Sequence, residues 1–480
     1  MKNKTPTPYT APPTILVIFG ITGDLSRRKL LPALWHLFYT NQLSAPFRVI
    51  GFARRDFSTD EIRAFVRETL DDLLAAADKN TAQRFLDNFF YQQGQFDAAA
   101  PYDALAARIK DAEQALGAPA TTIFYLSIAP VHYETVFQAL HDSGVVDVAT
   151  DTRTQSRILV EKPFGRDTET AQALDEKLGH LFREEQIYRI DHYLAKETVQ
   201  NILNFRFSNF IFEPIWNKDG IEKVHIELLE TLGMEGRGAF YSDTGALRDV
   251  GQNHLLQLLA MVAMENPGQY EAAHVRVKRA EVLARLRAVS ETDLARSVVR
   301  GQYEGFAKEP GVTHDPQTET YFKLRVFLDD PVWEGVPFIL ESGKRMRKDL
   351  TRVTIYFKHA SRTLCPLDDD HPCQNTLTFE IKPTEGITVS FWAKKPGFSN
   401  EIEQRALHFD YRARSTDERL PDAYERVLYD AIRGDQTLFA STEEVHAAWR
   451  YITPILKEWQ KVPLEPYAPG GDGPESRATL

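Results

Sequence analysis

The stretch TILVIFGITGDLSRRKLLPAL, Thr14–Leu34, decides the fold. Ile15 to Phe19 is an unbroken apolar run rich in β-branched residues, the composition of a strand covered on both faces. It leads straight into Gly20 and Gly23, then into a helical pattern carrying Leu30, Leu34 and Phe38. Glycines at such a turn let the backbone pass close to a pyrophosphate, whose charge meets the amides of the helix N-terminus. The spacing G-x-x-G-D-L is shorter than the three-glycine fingerprint, and a plain tight turn also accounts for two glycines. Strand before, helix after and a place near the N-terminus favour a dinucleotide site.

Outward from this turn, further apolar runs (Val49 to Ala53, Ile123 to Ser127, Ile158 to Val160) alternate with longer helix-like stretches. That is the pattern of a parallel sheet covered by helices, an α/β unit. Beyond about residue 190 the periodicity changes. Phe322, Leu324, Val326 and Leu328 alternate with polar neighbours, as do Val353, Ile355 and Phe357, then Leu377, Phe379 and Ile381, then Ile387, Val389 and Phe391. Period two with one polar face predicts antiparallel strands. A capping box, Ser441-x-x-Glu444, announces a helix continued by Val445, Trp449, Ile452 and Leu456. The expectation is α/β followed by α+β: a Rossmann-like dinucleotide-binding domain over 1–190, then a larger domain over 191–480 with a mainly antiparallel sheet and helices. Both termini, rich in Pro, Gly and small polar residues, read as loose tails.

A chain of 480 residues has ample material for two cores, and 43% apolar with 26% charged residues is ordinary globular composition. A formal charge of −11 argues against nucleic acid or anionic membrane as general partners, though a local basic cluster can hold an acidic ligand. The apolar stretch Leu255 to Met264 is too short to span a membrane, and no signal-peptide core precedes the fold; a cytoplasmic protein is expected. Cys365 and Cys373, in CPLDDDHPC with His371, can pair or bind metal; the reading adopted is an unpaired polar loop, since the spacing is not a standard zinc pattern.

Four places offer chemistry. After RVIGFA come Arg54 and Arg55, where guanidinium suits a ribose 2′-phosphate and so NADP over NAD, although NAD use is not excluded. In EKPFG, Lys162 follows an apolar strand, where ligands bind in open α/β sheets, with Pro163 setting its direction. RIDHYLAKE, Arg189–Glu197, predicts a helix from about Asp191 with His192 and Lys196 on one face and Tyr193 beside them, a receptor for a phosphate monoester; a polar start to an amphipathic helix is the plain alternative. In GALRDVGQNHLLQLLAMVAM, His254 shares the face of a buried helix with Leu247, Val250 and Leu258, one turn after Gly251. A histidine there is ordinarily a core residue; Asp249 and Asn253 give it polar company.

Taken together and in this order, GITGDLSRRKL, EKPFG, RIDHYLAKE and GALRDVGQNH resemble the signature set of the glucose-6-phosphate dehydrogenase family. The similarity runs from about Ile15 to Trp459 and includes WNKDGIEKVHI and GMEGRGAFY. The resemblance implies oxidation of glucose 6-phosphate at carbon 1 to the 6-phosphoglucono-lactone, with hydride passing to NADP. It also implies a homodimer or dimer of dimers joined through the second domain; no metal is expected, since a base that takes the proton directly requires none and no His/Cys cluster in the sequence suggests one. His254 would be the general base and Asp191 the carboxylate that orients it. His192, Tyr193 and Lys196 would bind the phosphate, Lys162 would bridge cofactor and sugar, and Glu230, Asp249 and Lys344 would contact the sugar. Ile18, Phe19, Gly20, Ile21, Thr22, Gly23, Asp24 and Leu25, then Arg54 and Lys162, would line the cofactor.

Some positions depart from the family. Ala195 stands for the usual Gly, and Asp349 for a basic residue, with Lys348 one place earlier. Lys382 stands for a common Gln. Glu341 stands where some members have an Arg lining a second, structural NADP site, and an acid argues against that site here. A related sugar oxidoreductase and a catalytically silent nucleotide-binding module are the competing readings.

Overall fold

The computed structural model describes residues 12–43, 46–146, 156–312, 317–359, 373–411 and 419–479. The chain forms two compact units: Met1–Gly165 with Glu169–Ala195 and Pro421–Thr442, and Arg166–Thr168 with Lys196–Leu420 and Glu443–Leu480. A late segment therefore returns to the first unit, which a single cut after residue 190 does not describe.

In the first unit, β1 (Thr14–Phe19), β2 (Phe47–Ala53), β3 (Phe89–Gln93), β4 (Thr121–Leu126), β5 (Arg157–Val160) and β6 (Ile187–Ile190) pair in parallel in the order β6-β5-β4-β1-β2-β3. Every residue of β1 and β4 is buried, as their continuous apolar runs require. The strand order reverses between β1 and β4, so the Gly20 turn leaves the sheet at its topological switch point. Beneath it Phe19, Phe52 and Tyr102 form an aromatic cluster, with the Phe19 and Phe52 rings 4.8 Å apart.

The returning segment closes the far edge. Its two-residue strand Phe439–Ala440 pairs antiparallel with β6. Its helix Ala423–Arg433 ends at carbonyls that Arg157 satisfies, Nη1 donating to Ala431 O at 2.6 Å and Ile432 O at 2.9 Å. Arg189, buried in β6, is neutralised by Asp175 at 2.7 Å and Glu184 at 2.9 Å.

The second unit is built on β7 (Ile221–Leu229), β8 (Val298–Tyr303), β9 (Tyr321–Val326), β10 (Phe338–Gly343), β11 (Leu350–Phe357), β12 (Thr376–Lys382), β13 (Gly386–Lys394) and β14 (Ile402–Asp410), in the order β14-β13-β12-β11-β7-β10-β9-β8. The pairs are antiparallel except β7 with β10, an internal parallel pair the period-two pattern did not anticipate. The expected loose C-terminal tail is also corrected. Leu464–Tyr467 adds a parallel strand beside β8, and Lys323 Nζ donates to Arg477 O at 2.8 Å. The first eleven residues lie outside those described.

The helix Leu256–Ala263 is buried along its whole length. Its C-terminal carbonyls need partners away from water, and three side chains supply them. Arg206 donates to Met261 O and Met264 O, Trp216 to Val262 O, and Trp333 to Ala263 O, at 2.7–2.9 Å. The predicted capped helix runs over Thr442–Glu458, and its Glu444 carboxylate receives Nε and Nη2 of Arg279, both at 3.1 Å and both side chains fully buried. No helix among the described residues is long and apolar enough to cross a membrane. Of the cysteine loop, Cys365 and His371 lie outside the described residues. Cys373 is disulfide-bonded, which corrects the reading of an unpaired thiol there.

Candidate active site

The nucleotide turn follows from β1. Gly20 has φ +79°, and a Cβ there would lie 2.3 Å from Ser127 O, so only glycine fits. Gly20 N donates to Phe52 O and Gly23 N to Gly20 O, both at 2.8 Å, while Ser26 Oγ ties Gly20 O to Ser127 Oγ. These bonds fix the path of Ile18 to Leu25 across the sheet's carboxyl edge. A π-helical turn, Ser26–Leu30, then starts the helix Leu31–Tyr39. Arg54 and Arg55 are exposed after β2, on backbone held by the Tyr91 hydroxyl, which donates to Ala53 O at 3.0 Å and Arg55 O at 2.6 Å. The glycine turn and these cations suit a phosphate-bearing dinucleotide.

Lys162 follows β5, as expected, and its peptide bond to Pro163 is cis. Behind it the Glu161 carboxyl accepts from Tyr125 Oη at 2.6 Å. Burial pushes that carboxyl up to about 7, against the Tyr125 hydrogen bond and the Lys162 charge that favour ionisation.

Asp191, His192 and Tyr193 do not begin a helix. They form a turn at the end of β6, and the helix starts only at Glu197, with Lys196 as its N-cap. The reason is local: Asp191 Oδ1 accepts from Tyr193 N at 3.0 Å and Asp191 O from Leu194 N at 3.1 Å, a side-chain-closed turn that competes with helix. The expected shared helical face of His192 and Lys196 is thus corrected. Asp191 is 4% exposed, and the His192 ring stacks on Tyr424 with centroids 6.0 Å apart. Tyr424 comes from the returning segment and carried no sequence signal.

In the second unit, Lys196 precedes the helix Glu197–Ser208, whose Val199, Ile202 and Leu203 are buried as expected. His254 lies on Leu247–Leu255, which is π-helical rather than α-helical, so the predicted face shared at 3.6 residues per turn does not apply. The helix is entered through Gly245, at φ +71°, where a Cβ would sit 2.5 Å from Glu319 Oε1. That close approach lets Glu319 cap the helix: Oε1 accepts from Leu247 N and Oε2 from Trp459 Nε1, each at 3.0 Å. Glu319 went unrecognised in the sequence. Burial raises its carboxyl above the ordinary range, countered first by the Leu247 amide. Farther along, Asn253 Nδ2 donates to Asp249 O at 3.0 Å and its Oδ1 accepts from His254 N at 2.6 Å. His254 is 2% exposed.

Glu230 follows β7 and Lys344 follows β10, and the parallel pairing of those strands makes them neighbours. Lys344 Nζ is paired with Glu230 Oε2 and lies 5.7 Å from the Tyr241 ring centroid. Asp349 is paired with Lys382 at 3.2 Å, and Lys348 is exposed. Glu341 stands directly across from Glu227 on β7, and His225 lies within ligand reach of both carboxylates. The carboxylates on this face already have partners: Arg352 pairs with Glu227, Lys323 Nζ lies 3.9 Å from Glu341 Oε2, and His225 Nε2 is within hydrogen-bond distance of that oxygen at 2.9 Å.

The family model "Glucose-6-phosphate dehydrogenase, NAD binding domain" matches residues 17–201, and "Glucose-6-phosphate dehydrogenase, C-terminal domain" matches 203–480. Glucose-6-phosphate 1-dehydrogenase of Aggregatibacter actinomycetemcomitans is 40% identical over 97% of this chain and 95% of its own. That of Chlamydia pneumoniae is 38% identical over 98% and 95%. A solved glucose-6-phosphate dehydrogenase in complex with its substrate glucose-6-phosphate superposes with TM-score 0.89 at 31% identity, covering 98% of this chain and 97% of that one. Another, from Mycobacterium avium, gives 0.83 at 32% identity over 98% and 97%. With both domain models matched end to end and relatives this similar along their length, the chain belongs to the glucose-6-phosphate dehydrogenase family.

Proposed function

We infer that this chain oxidises glucose 6-phosphate at carbon 1 to the 6-phosphoglucono-lactone while a nicotinamide cofactor takes the hydride, the first step of the oxidative pentose phosphate pathway. One observation carries the reading: the two family domains cover residues 17–201 and 203–480 and hold all four motifs in order. The bound nicotinamide supplies the hydride acceptor; the remaining chemistry falls to side chains.

His254 removes the proton of the anomeric hydroxyl, because an imidazole titrates near working pH and serves as a base without a metal. Asp191 orients that imidazole and balances the imidazolium. His192, Tyr193 and Lys196 hold the 6-phosphate through hydrogen bonds that two of them can strengthen by charge. Lys162 bridges cofactor and sugar, while Glu230, Asp249 and Lys344 fix the sugar hydroxyls and so the face presented for hydride loss. Ile18 to Leu25 cradle the pyrophosphate and Arg54 meets the 2′-phosphate, which makes NADP the preferred cofactor. In this reading residues 1–190 bind the cofactor and 191–480 bind substrate and a second copy of the chain, in the cytoplasm.

The test is spectrophotometric: purified protein with glucose 6-phosphate and NADP should raise the absorbance of reduced nicotinamide. No rise at high enzyme concentration, with NADP still bound, would turn the reading into that of a silent nucleotide-binding module.

A further inference from the structure

Three residues leave the first unit before the chain returns to it. Arg166–Thr168 belong to the second unit, while Gly165 before them and Glu169 after them belong to the first. They end the loop that starts at Glu161 and Lys162, and that loop is held along its whole course.

At its start, Tyr133 Oη donates to Glu161 O at 3.0 Å. Gly165, at φ +81°, passes so close to the next helix that a Cβ would lie 2.6 Å from Ala171 N. At its far end two side chains from distant parts of the sequence take over. Arg248 Nε donates to Arg166 O at 3.2 Å. The Thr453 hydroxyl oxygen accepts from Thr168 N and from Thr168 Oγ1, both at 3.0 Å. Thr168 opens the helix Thr168–Leu181, so its amide is among those without a partner inside the helix. Side-chain caps for such amides come as a rule from the residue just ahead of the helix. Here the acceptor comes from 285 positions away, on a threonine that is buried. Arg248 lies on the π-helix Leu247–Leu255 together with Asp249 and His254. Capping alone requires no bond to that helix. Arg248 thus ties the end of the Lys162 loop to the element that carries the base, and Thr453 fixes the same three residues independently.

We propose that Thr453 and Arg248 are positioning residues for the oxidation: by holding Arg166–Thr168 they set the direction of Lys162 when cofactor and sugar are bound. Their action runs through the backbone of the loop, not through contact with either ligand. The effect falls on hydride transfer, which is sensitive to small misplacements of the groups around it. Affinity is shared among many other contacts and changes less. This rests on the sugar dehydrogenase reading above.

The experiment is single-turnover kinetics on the full chain, with enzyme in excess over glucose 6-phosphate and saturating NADP, for the wild type, Thr453→Val, Thr453→Ser and Arg248→Ala. Equilibrium binding of each ligand and melting temperatures are measured on the same preparations. Thr453→Val keeps the shape and removes the acceptor, and should slow the appearance of reduced nicotinamide about tenfold, as should Arg248→Ala. Dissociation constants for glucose 6-phosphate and NADP should stay within about threefold. Thr453→Ser, which keeps the hydroxyl, should restore the rate to within about twofold of the wild type. A purely structural cap would lower the melting temperature and leave the rate per folded molecule unchanged. An unchanged rate in Thr453→Val and Arg248→Ala, a loss confined to ligand binding, or a loss that Thr453→Ser does not restore would overturn the proposal. Should Thr453→Val not fold, Arg248→Ala decides by the same criteria. A wild type that does not turn over glucose 6-phosphate overturns the underlying reading instead; normal turnover that is indifferent to both substitutions overturns this assignment alone.

Discussion

Tyr125 Oη donates to Glu161 Oε1 at 2.6 Å, directly behind the lysine that follows β5. The carboxyl it holds is pushed from an ordinary 4.5 up to about 7 by burial. A raised folded-state value means the proton is bound more tightly in the folded chain than in the unfolded one. Its stabilising effect is therefore full below about 4.5 and is lost as pH rises through about 7. Glu161→Gln mimics the protonated form. The difference in unfolding free energy between variant and wild type should grow in the variant's favour across that window, by roughly 1–3 kcal/mol. Denaturant unfolding at closely spaced pH values checks it; a flat difference means the carboxyl is ionised throughout.

Replacing the base should separate binding from chemistry. His254→Asn should lower kcat at least about a hundredfold while leaving glucose 6-phosphate binding nearly intact. Equilibrium binding and turnover measured on the same preparation check this, and a large loss of binding with normal turnover would reverse the assignment.

Glu319 closes the N-terminus of the π-helix that carries Asp249 and His254. Glu319→Ala leaves the Leu247 amide and the Trp459 indole N–H buried without their acceptors, at about 1–3 kcal/mol each. We expect a melting temperature lower by several degrees and a fall in kcat from the shifted helix. Calorimetry with parallel kinetics checks it; unchanged values in both would show that the cap is dispensable.

Much of this architecture was legible in the sequence. Long apolar runs gave β1, β2, β4 and β5, and strict alternation gave β9, β11, β12 and β13. β6 was hidden because Arg189 interrupts its apolar pattern, and only the folded chain brings Asp175 and Glu184 to neutralise it. β10 was hidden in the same way by Glu341. The returning segment, and with it Tyr424, depends on pairing between β6 and residues far along the chain, which no local signal encodes. The motifs name the candidate site residues, while the Asp191 turn and the π-helix depart from the helices their spacing predicts. A short polar side chain can replace a helical turn, and whether a backbone amide bonds four or five residues back is set by packing that apolar spacing in the sequence does not report.

Arg54 sets cofactor choice in this account. Arg54→Ala should lower kcat/KM for NADP at least about tenfold and change that for NAD little, because a charge-assisted contact to the 2′-phosphate is lost. Rates with each cofactor at fixed glucose 6-phosphate decide it, and equal losses would place Arg54 outside the 2′-phosphate site.

The central claim is that the chain recognises a phosphorylated sugar. Its most direct test is the ratio of kcat/KM for glucose 6-phosphate to that for glucose, with NADP as acceptor. Several charge-assisted bonds to the phosphate predict a ratio of at least about a hundred; equal efficiency with the two sugars would contradict the account.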